Sequence, residues 1–396
     1  MRPALFAVLV LASPLVWADS SATRCAEVEL QLAGQQTVSR LEGCGEEYPD
    51  DLLWHLDRID QIDGALDGSY DRNESGSGAV VYVMDTGVRA DHLEFEGENG
   101  TRVIAGIDTS GAVAIGRSSC RSSNRSLAPC YGSPDELASA SHGTAVASIV
   151  AGRTTGVAPG AWIVSVRVMN ERGLATTRSY LAALDLMIRH AWSTDAPPFR
   201  TAVVNISGWM LERISGGYDD MPVVPYTTVE AKIRTMIGGV GPDGKSDPEG
   251  KRFLFVVAGN NRDSGCGASG LVDRFPAVLG YRTDGLITVG GMTPDNAWWN
   301  GGCRGGIEVL APAEQIFSAT ITGRDHYRGR RFRSGTSFAA PIIAGIATRL
   351  LGAHPDLTPV ELEALITSTP SRIANPSAAF ADGKVATLGL RVTSDR

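Results

Sequence analysis

The sequence has no excess of positive charge: its 36 lysine and arginine residues are outnumbered by 44 aspartate and glutamate residues, giving a net charge of −8. Contact with a nucleic-acid backbone requires a basic face, so this balance argues against a nucleic-acid partner. Two basic clusters occur, Arg328 to Arg333 and Lys251-Arg252. Both are interpreted as solvated loop charges rather than as an anion site.

Long apolar runs are also missing beyond the N-terminus, where no stretch reaches the roughly 18 residues of a candidate membrane helix. At the N-terminus, Arg2 precedes an apolar run from Ala4 to Trp17, and Val16 and Ala18 occupy the cleavage positions. This layout predicts a signal peptide over residues 1–18, with a membrane anchor as the alternative. The mature protein is therefore expected to be secreted, extracellular or periplasmic, with no membrane partner.

The cysteines include no Cys-x-x-Cys pair, which argues against a metal cluster. An even number of cysteines follows the predicted signal peptide, and in an exported protein this indicates disulfides. Sequential pairing is favoured, because the first two cysteines bracket the N-terminal segment and the next two bracket a Ser/Arg-rich loop. The expected pairs are Cys25–Cys44, Cys120–Cys130 and Cys266–Cys303.

From about Asp51 the pattern alternates between apolar strands and helices, which predicts an α/β fold with a mainly parallel sheet covered on both faces. Internal repeats and low-complexity tracts are absent. Segments 104–138 and 210–250, rich in Gly, Ser, Pro and charge, are predicted to be surface insertions. The predicted strands are 79–84, 162–168, 202–206 and 253–258, and the predicted helices are 144–151, 178–192, 339–351 and a last one opened by Thr358-Pro359.

Three residues have the chemistry of a hydrolytic triad. Ser337 lies where a turn enters an apolar helix, so free N–H groups and the helix dipole would favour negative charge there. Among six histidines, His142 is predicted at the start of a helix of small residues. Asp85 directly follows a buried strand, at the sheet edge where ligand and catalytic groups gather. The alternative for Ser337 is a helix N-cap. Asp85 in Asp-Thr-Gly could instead be a turn former or belong to an aspartic protease. A single-chain aspartic protease would need a second Asp-Thr/Ser-Gly, which is missing.

Three segments resemble the active-site motifs of the subtilases, the subtilisin-like serine proteases. They are Asp85-Thr86-Gly87, His142-Gly143-Thr144 and Gly335 to Pro341, and residues 81–97 are most similar to the proteinase K branch. The resemblance covers about Leu53 to Pro370, and Asp, His and Ser follow in the subtilisin order. It implies a subtilisin-like three-layer fold and a serine endopeptidase that needs no cofactor for catalysis.

By this resemblance Ser337 attacks the scissile carbonyl, His142 transfers the proton, and Asp85 orients the imidazole. Asn260 is expected to bind the oxyanion. An extended peptide would pair with the Gly173-Leu174-Ala175 edge, and the residue before the cut would lie between two walls. These walls are formed by Ser207-Gly208 and Ala258-Gly259.

The chain departs from the family pattern in three places. Ala145 replaces a second His, and Ser148 replaces a Gly. Gly208-Trp209-Met210 replaces a Leu-Gly-Gly-like wall, so Trp209 is expected to narrow or redirect the substrate pocket. A non-catalytic binding protein on the same fold is the alternative function, and an esterase is a third.

The resemblance further suggests a structural calcium ion at Glu308 with the carbonyls of Pro276 and Val278. The protein is expected to act as a monomer on protein or peptide substrates. The predicted divisions are a signal peptide (1–18), an N-terminal extension or reduced propeptide (19–52), a peptidase domain (53–370) and a tail (371–396).

Overall fold

In the computed structural model, the central sheet and its helices belong to the part of the chain that follows Leu53. The residues that the structure describes are 26–32, 35–42, 53–60, 66, 68, 70, 74–110, 137–170, 173–212, 223–263, 265–267, 270–321, 330–368, 371–372 and 384–385.

Short strands are the most numerous elements of this part of the chain. They are β1 Ala26–Leu32, β2 Gln35–Glu42, β3 Val80–Asp85, β4 Glu96–Gly97, β5 Gly100–Thr101, β6 Val103–Asp108, β7 Trp162–Arg167, β8 Thr201–Ile206, β9 Arg252–Ala258, β10 Leu286–Met292, β11 Val309–Pro312, β12 Ile316–Ala319, β13 Arg330–Arg333, β14 Ser371–Arg372 and β15 Lys384–Val385. The α-helices are α1 Trp54–Asp60, α2 Leu137–Ala151, α3 Thr177–Ala191, α4 Tyr226–Gly238, α5 Thr336–Ala353 and α6 Pro359–Ser368.

The central sheet has the strand order β14-β15-β11-β10-β9-β8-β3-β7-β6. Adjacent strands of this sheet run parallel to each other, except that β14 and β15 are antiparallel. The chain therefore has the predicted α/β fold with a mainly parallel sheet. The carboxyl ends of β3, β8 and β9 meet at one edge, where Asp85, Ser207 and Asn260 follow or end these strands.

Helices cover both faces of the sheet because its central strands are apolar on both sides. Val81 and Val83 pack with α2 and α5, whereas Val80, Tyr82 and Met84 pack with α3 and α4. Burial of both faces explains why these strands appear as continuous apolar runs rather than as an alternating pattern. The result is a three-layer arrangement of helices, sheet and helices.

Helix α5 is the most buried helix of the core, with side chains buried around its circumference from Thr336 to Leu351. Within the described ranges it is the one helix long and apolar enough to cross a bilayer, and most of it is enclosed by the protein. Helix α6 begins as predicted: Thr358 and Glu361 form reciprocal side-chain to backbone hydrogen bonds of 2.9 and 3.3 Å, a capping box.

The prediction that segments 104–138 and 210–250 are surface insertions was wrong in part for each segment. The first contains most of β6, an edge strand whose burial is incomplete between Val103 and Asp108. The second contains α4, which buries a single stripe, Val229, Ile233 and Met236, against the sheet. A single buried stripe among polar residues gives a weaker apolar signal than a buried strand does.

The helix that carries His142 also begins earlier than predicted. Helix α2 starts at Leu137, so His142 lies in its second turn rather than at its start. The strands β1 and β2, within the expected N-terminal extension, pair antiparallel with each other. Within the expected tail, β15 pairs with β11 and so adds residues 384–385 to the central sheet.

Candidate active site

Asp85 ends strand β3, and its side chain is fully buried. The backbone N–H of Thr86 donates to its Oδ1 at 2.7 Å. A buried carboxylate requires such donors, because burial without them disfavours its charged form. This hydrogen bond orients the carboxylate independently of its contact with a histidine.

His142 approaches this carboxylate from helix α2. Its Nδ1 lies 2.9 Å from both Asp85 Oδ1 and Asp85 Oδ2. The next residue must be glycine, because a Cβ on Gly143 would lie 2.3 Å from the Gly87 carbonyl oxygen. The Gly143 N–H also donates to the Thr86 hydroxyl at 3.0 Å, which fastens the helix to the end of the strand. About a quarter of the His142 side chain (26%) stays exposed, so its other edge opens toward solvent.

Ser337 lies in the first turn of α5 and is tied to the residue that follows β8. Its Oγ donates to the Ser207 carbonyl oxygen at 3.1 Å, and the Ser207 hydroxyl donates back to the Ser337 carbonyl at 2.8 Å. That carbonyl has no helical donor because the residue four positions later is Pro341, which lacks an N–H. The Ser207 hydroxyl therefore donates to the Ser337 carbonyl in place of the missing helical N–H. It also accepts Asn205 Nδ2 at 2.9 Å.

Asn260 follows the end of β9 in a left-handed conformation, with φ of 68°. This conformation is costly for a residue other than glycine. The side chain is buried, and its Oδ1 has no hydrogen-bond partner in the described part of the chain. Strain and an unpartnered buried atom together are typical of functional positions.

Backbone contacts hold Asn260 in this conformation. The Cys303 N–H donates to its carbonyl at 3.0 Å, and Asn261 and Gly302 form an antiparallel bridge. The disulfide Cys266–Cys303 joins the same two loops, which confirms that pair of the three expected. The other two expected pairs lie outside the described residues.

A cavity of about 400 Å³ lies at the carboxyl edge of the sheet. Seven of the residues predicted for catalysis or for the substrate walls line it, and Asp85 lies behind the ring of His142. The seven are His142, Gly173, Ser207, Gly208, Ala258, Asn260 and Ser337. The lining residues without a predicted role are Thr86, Met169, Asn261 and Thr336, which occur beside the motifs but carry no chemical signature of their own. Trp209, which was expected to alter the pocket, also lines it.

Three predicted substrate contacts, Leu174, Ala175 and Gly259, do not line this cavity. The Leu174 carbonyl accepts the Asn170 N–H at 2.9 Å, and the Leu174 N–H donates to the side-chain Oδ1 of Asn170 at 3.0 Å. The Ala175 carbonyl accepts the Leu211 N–H at 3.0 Å. A Cβ on Gly259 would lie 2.8 Å from the backbone carbonyl oxygen of Val289, so packing against this strand requires glycine here. The roles of these residues in substrate binding stay predictions.

The substituted positions have local structural explanations. The Ser148 hydroxyl donates to the Ala145 carbonyl at 2.8 Å and accepts Ala319 N–H at 3.0 Å, so it links helix α2 to strand β12. Trp209 stacks with the Arg274 guanidinium, 5.0 Å from the ring centre. A Cβ on Gly208 would lie 2.3 Å from Met169 Cε, so the methionine fills the space beside this wall.

Glu308, the proposed calcium ligand, is engaged in other contacts. Its Oε2 accepts Thr288 N–H at 2.8 Å, and burial together with the neighbouring Glu363 raises its pKa to about 8. The Pro276 carbonyl accepts Leu279 N–H at 2.9 Å. Calcium needs six or more available oxygen ligands, so these residues do not fit the ion in this arrangement. No cluster of three or more metal-binding side chains occurs among the residues that the structure describes.

The fold and the order of Asp85, His142 and Ser337 define a subtilisin-like α/β protein. The model of the Subtilase family matches residues 76–385, so the chain belongs to that family. It is also similar to a solved structure titled as a cold adapted subtilisin-like serine proteinase. That similarity has a TM-score of 0.60 and 27% identity, and covers 85% of this chain and 98% of the other.

Curated relatives are similar over 81% of this chain. The chain is 30% identical to Alkaline serine exoprotease A of Vibrio alginolyticus, covering 47% of that protein. It is 30% identical to the Extracellular serine proteinase of Thermus sp. (strain Rt41A) and 32% identical to Subtilisin-like protease 3 of Pseudogymnoascus destructans, covering 63% and 62% of them. The chain thus spans about half to two thirds of these relatives. Placement in the proteinase K branch stays a prediction.

Proposed function

We propose that this protein is a secreted serine endopeptidase that hydrolyses peptide bonds through an acyl-enzyme intermediate. One observation carries the proposal: His142 Nδ1 faces both oxygens of the buried Asp85, while its ring lines the cavity that Ser337 also lines. Since Nδ1 donates to the carboxylate, the lone pair is on Nε2. This is the tautomer that a general base requires.

In the first half-reaction, Ser337 Oγ attacks the scissile carbonyl carbon and His142 Nε2 takes the hydroxyl proton. The Asn260 side-chain amide and the Ser337 N–H stabilise the oxyanion. His142 then gives the proton to the leaving amine, and the C–N bond breaks. Ser337 Oγ now donates to Ser207, so attack requires its hydroxyl to rotate toward His142. Catalytic hydrogen bonds are often unformed before substrate binds.

In the second half-reaction, water replaces the amine. His142 takes a proton from this water as its oxygen attacks the acyl carbon, and the proton returns to Ser337 Oγ as the ester C–O bond breaks. The Asp85 carboxylate stabilises the imidazolium in both halves and stays ionised. Neither half-reaction uses a cofactor.

Protein or peptide substrates are proposed from the family. An extended peptide would add to the Gly173-Leu174-Ala175 segment, with its residue before the cut between Ser207-Gly208 and Gly259. Secretion is proposed from the predicted leader, and one relative is named as extracellular. A monomer is the proposed state, with the peptidase domain over residues 53–370.

The decisive test is labelling by a serine-directed phosphonate, with cleavage of casein and of peptides blocked at both ends. We expect labelling and cleavage by the wild type and neither by Ser337→Ala. Ser334→Ala is the matched control, because Ser334 is an exposed serine of the same turn whose hydroxyl only accepts Gln315 N–H.

Asp85→Asn should retain the geometry but lose about 10⁴-fold in kcat, since it favours the wrong histidine tautomer. Folded wild type that neither accepts the label nor cleaves any substrate would overturn the proposal. A binding protein on this fold would then be the better interpretation.

A further inference from the structure

A buried asparagine lies in the apolar layer between the sheet and the helix that carries Ser337. Asn205 belongs to β8, and its side chain has no exposed surface. Its register partners are Val83 of β3 and Val256 of β9, and both belong to the core cluster that packs with α2 and α5. Because helices cover this face of the sheet, an apolar side chain would be expected at the position of Asn205.

Hydrogen bonding compensates only half of the buried Asn205 amide. Its Nδ2 donates to the Ser207 hydroxyl at 2.9 Å. Its Oδ1 is buried and has no hydrogen-bond partner among the residues that the structure describes. A buried acceptor without a partner costs free energy, and an apolar side chain of the same shape would avoid that cost. A polar residue that costs stability in the core is a candidate for function.

The hydrogen bond from Asn205 directs the proton of the Ser207 hydroxyl. A hydroxyl has one proton, and since its oxygen accepts from Asn205 Nδ2, the proton is left for the Ser337 carbonyl, at 2.8 Å. With the amide reversed, the hydroxyl would donate to Asn205 Oδ1 instead. The Ser337 carbonyl would then lose this donor, which the helix cannot replace because Pro341 has no N–H. The orientation of the amide thus determines whether Ser207 holds the Ser337 backbone.

We propose that Asn205 is a positioning residue for Ser337 and acts through the Ser207 hydroxyl. This inference rests on the proposed peptidase activity and adds to it a residue that does not line the cavity. Asn261 holds the preceding residue, Thr336, through its own side chain. Two asparagines, one in β8 and one after β9, therefore fix two consecutive residues at the start of α5.

The test replaces Asn205 by leucine, which has nearly the same shape and no polar side-chain atom. We expect kcat for peptide hydrolysis to fall about tenfold, the factor that one hydrogen bond of ordinary strength supplies. We expect the unfolding temperature to equal or exceed the wild-type value, because the buried Oδ1 is removed together with the amide. A merely structural residue would instead lose stability and activity together.

Thr201→Val is the matched control. Thr201 begins the same strand at its amino end, and its hydroxyl is also buried without a partner in the described part of the chain. Valine removes that hydroxyl at nearly constant shape, so the unfolding temperature should respond as it does for Asn205→Leu, while kcat stays at the wild-type value. An equal loss of kcat in both variants would overturn a specific role for Asn205.

A double-variant cycle tests the route through Ser207. In the Ser207→Ala background, Asn205→Leu should lower kcat no further, because the hydroxyl that Asn205 orients is absent. In the Asn205→Leu background, Pro341→Ala should restore part of kcat, because the alanine N–H can donate to the Ser337 carbonyl. Additive losses of kcat in the Asn205→Leu/Ser207→Ala protein would overturn the proposed route.

The two proposals fail in different ways. If the wild type neither cleaves peptides nor accepts the phosphonate label, the peptidase assignment itself is wrong, and this inference is wrong with it. If the wild type is active and folded Asn205→Leu keeps the wild-type kcat, the peptidase stands and the role of Asn205 is overturned. Asn205→Ala also removes the amide, and it provides the same comparison of kcat if the leucine variant does not fold.

Discussion

Ser207 and Ser337 hold each other through two reciprocal hydrogen bonds, each from a hydroxyl to the other residue's carbonyl. Ser207→Ala removes the donor to the Ser337 carbonyl, which Pro341 cannot replace. We expect unfolding free energy to fall by about 1–3 kcal/mol, the usual cost of an unmade buried hydrogen bond. We also expect kcat to fall several-fold, because Ser337, the proposed nucleophile, loses a hydrogen bond that positions its backbone.

Pro341→Ala in the Ser207→Ala background gives the matched check, measured by denaturant unfolding and peptide hydrolysis. The alanine N–H can donate to the Ser337 carbonyl, so part of the lost stability should return. A double variant no more stable than Ser207→Ala would contradict this explanation of the serine pair.

Asn261 links the loop that carries Asn260 to the turn that carries Ser337. Its Oδ1 accepts both the Thr336 N–H at 3.0 Å and the Thr336 hydroxyl at 2.8 Å. Thr336→Val should lose one of these bonds and Asn261→Ala should lose both. The free energy of unfolding should therefore fall by about 1 kcal/mol per lost bond. The fall in kcat should likewise be smaller for Thr336→Val than for Asn261→Ala. Thr336→Ser keeps both donors and serves as control. Equal effects of the two damaging variants would argue against this link.

Asn260 allows its chemical role to be separated from its backbone strain. Asn260→Gly and Asn260→Ala both remove the amide, so each should lose about 10²–10³-fold in kcat with little change in KM. At φ of 68° only alanine keeps the strain, so the glycine variant should be more stable by about 1 kcal/mol. Thermal unfolding and steady-state kinetics on the same preparations test both parts. An Asn260→Gly protein with near wild-type kcat would exclude Asn260 from oxyanion binding.

The Cys266–Cys303 disulfide is expected to support catalysis as well as stability, because Cys303 also binds the Asn260 carbonyl through its N–H. The Cys266→Ala/Cys303→Ala double variant should lose about 3–4 kcal/mol of stability for a loop of this length. Its kcat should fall more than its KM rises, measured well below its unfolding temperature. Unchanged kcat in the folded double variant would restrict the disulfide to stability.

Glu308 should make stability depend on pH. Burial raises its pKa from the ordinary 4.5 to about 8, so the folded protein holds a proton that the unfolded chain has released between these values. Unfolding free energy should therefore fall as the pH rises through this window. Glu308→Gln should flatten the dependence, measured by thermal unfolding in a chelator. A calcium ion requires the ionised carboxylate, so a midpoint that rises with pH when calcium is added would support the calcium site instead.

The sequence was most informative where burial is complete. The runs at 79–84 and 253–258 are apolar without interruption because helices cover both sheet faces, and they predicted β3 and β9 within a residue or two. Asp85 and Ser337 could be assigned because each lies at the end of such a buried element. Partly buried elements were missed: β6 at the sheet edge and α4 with its single buried stripe do not differ clearly from surface loops in composition.

Contacts between distant segments could not be predicted from residue types. The reciprocal serine bonds join residues 130 positions apart, and Asn261 is 75 positions from Thr336. Polar side chains of this kind occur in any loop, and only the tertiary fold determines which of them meet. Arg333 was visible as part of a basic run, but its hydrogen bond to Ser141, which lies 192 positions away, depends on the tertiary fold.

Helix α5 carries Ser337, the proposed nucleophile, in its first turn, and apart from Ser337 its side chains from Thr336 to Leu351 are buried. The serine therefore cannot be displaced by loosening of a surface loop; its support is lost only when the core itself comes apart. In a concentrated solution of a peptidase, any molecule that unfolds becomes a substrate for the molecules that are still folded. The lifetime of the active enzyme would then depend on the rate at which α5 separates from the sheet during unfolding.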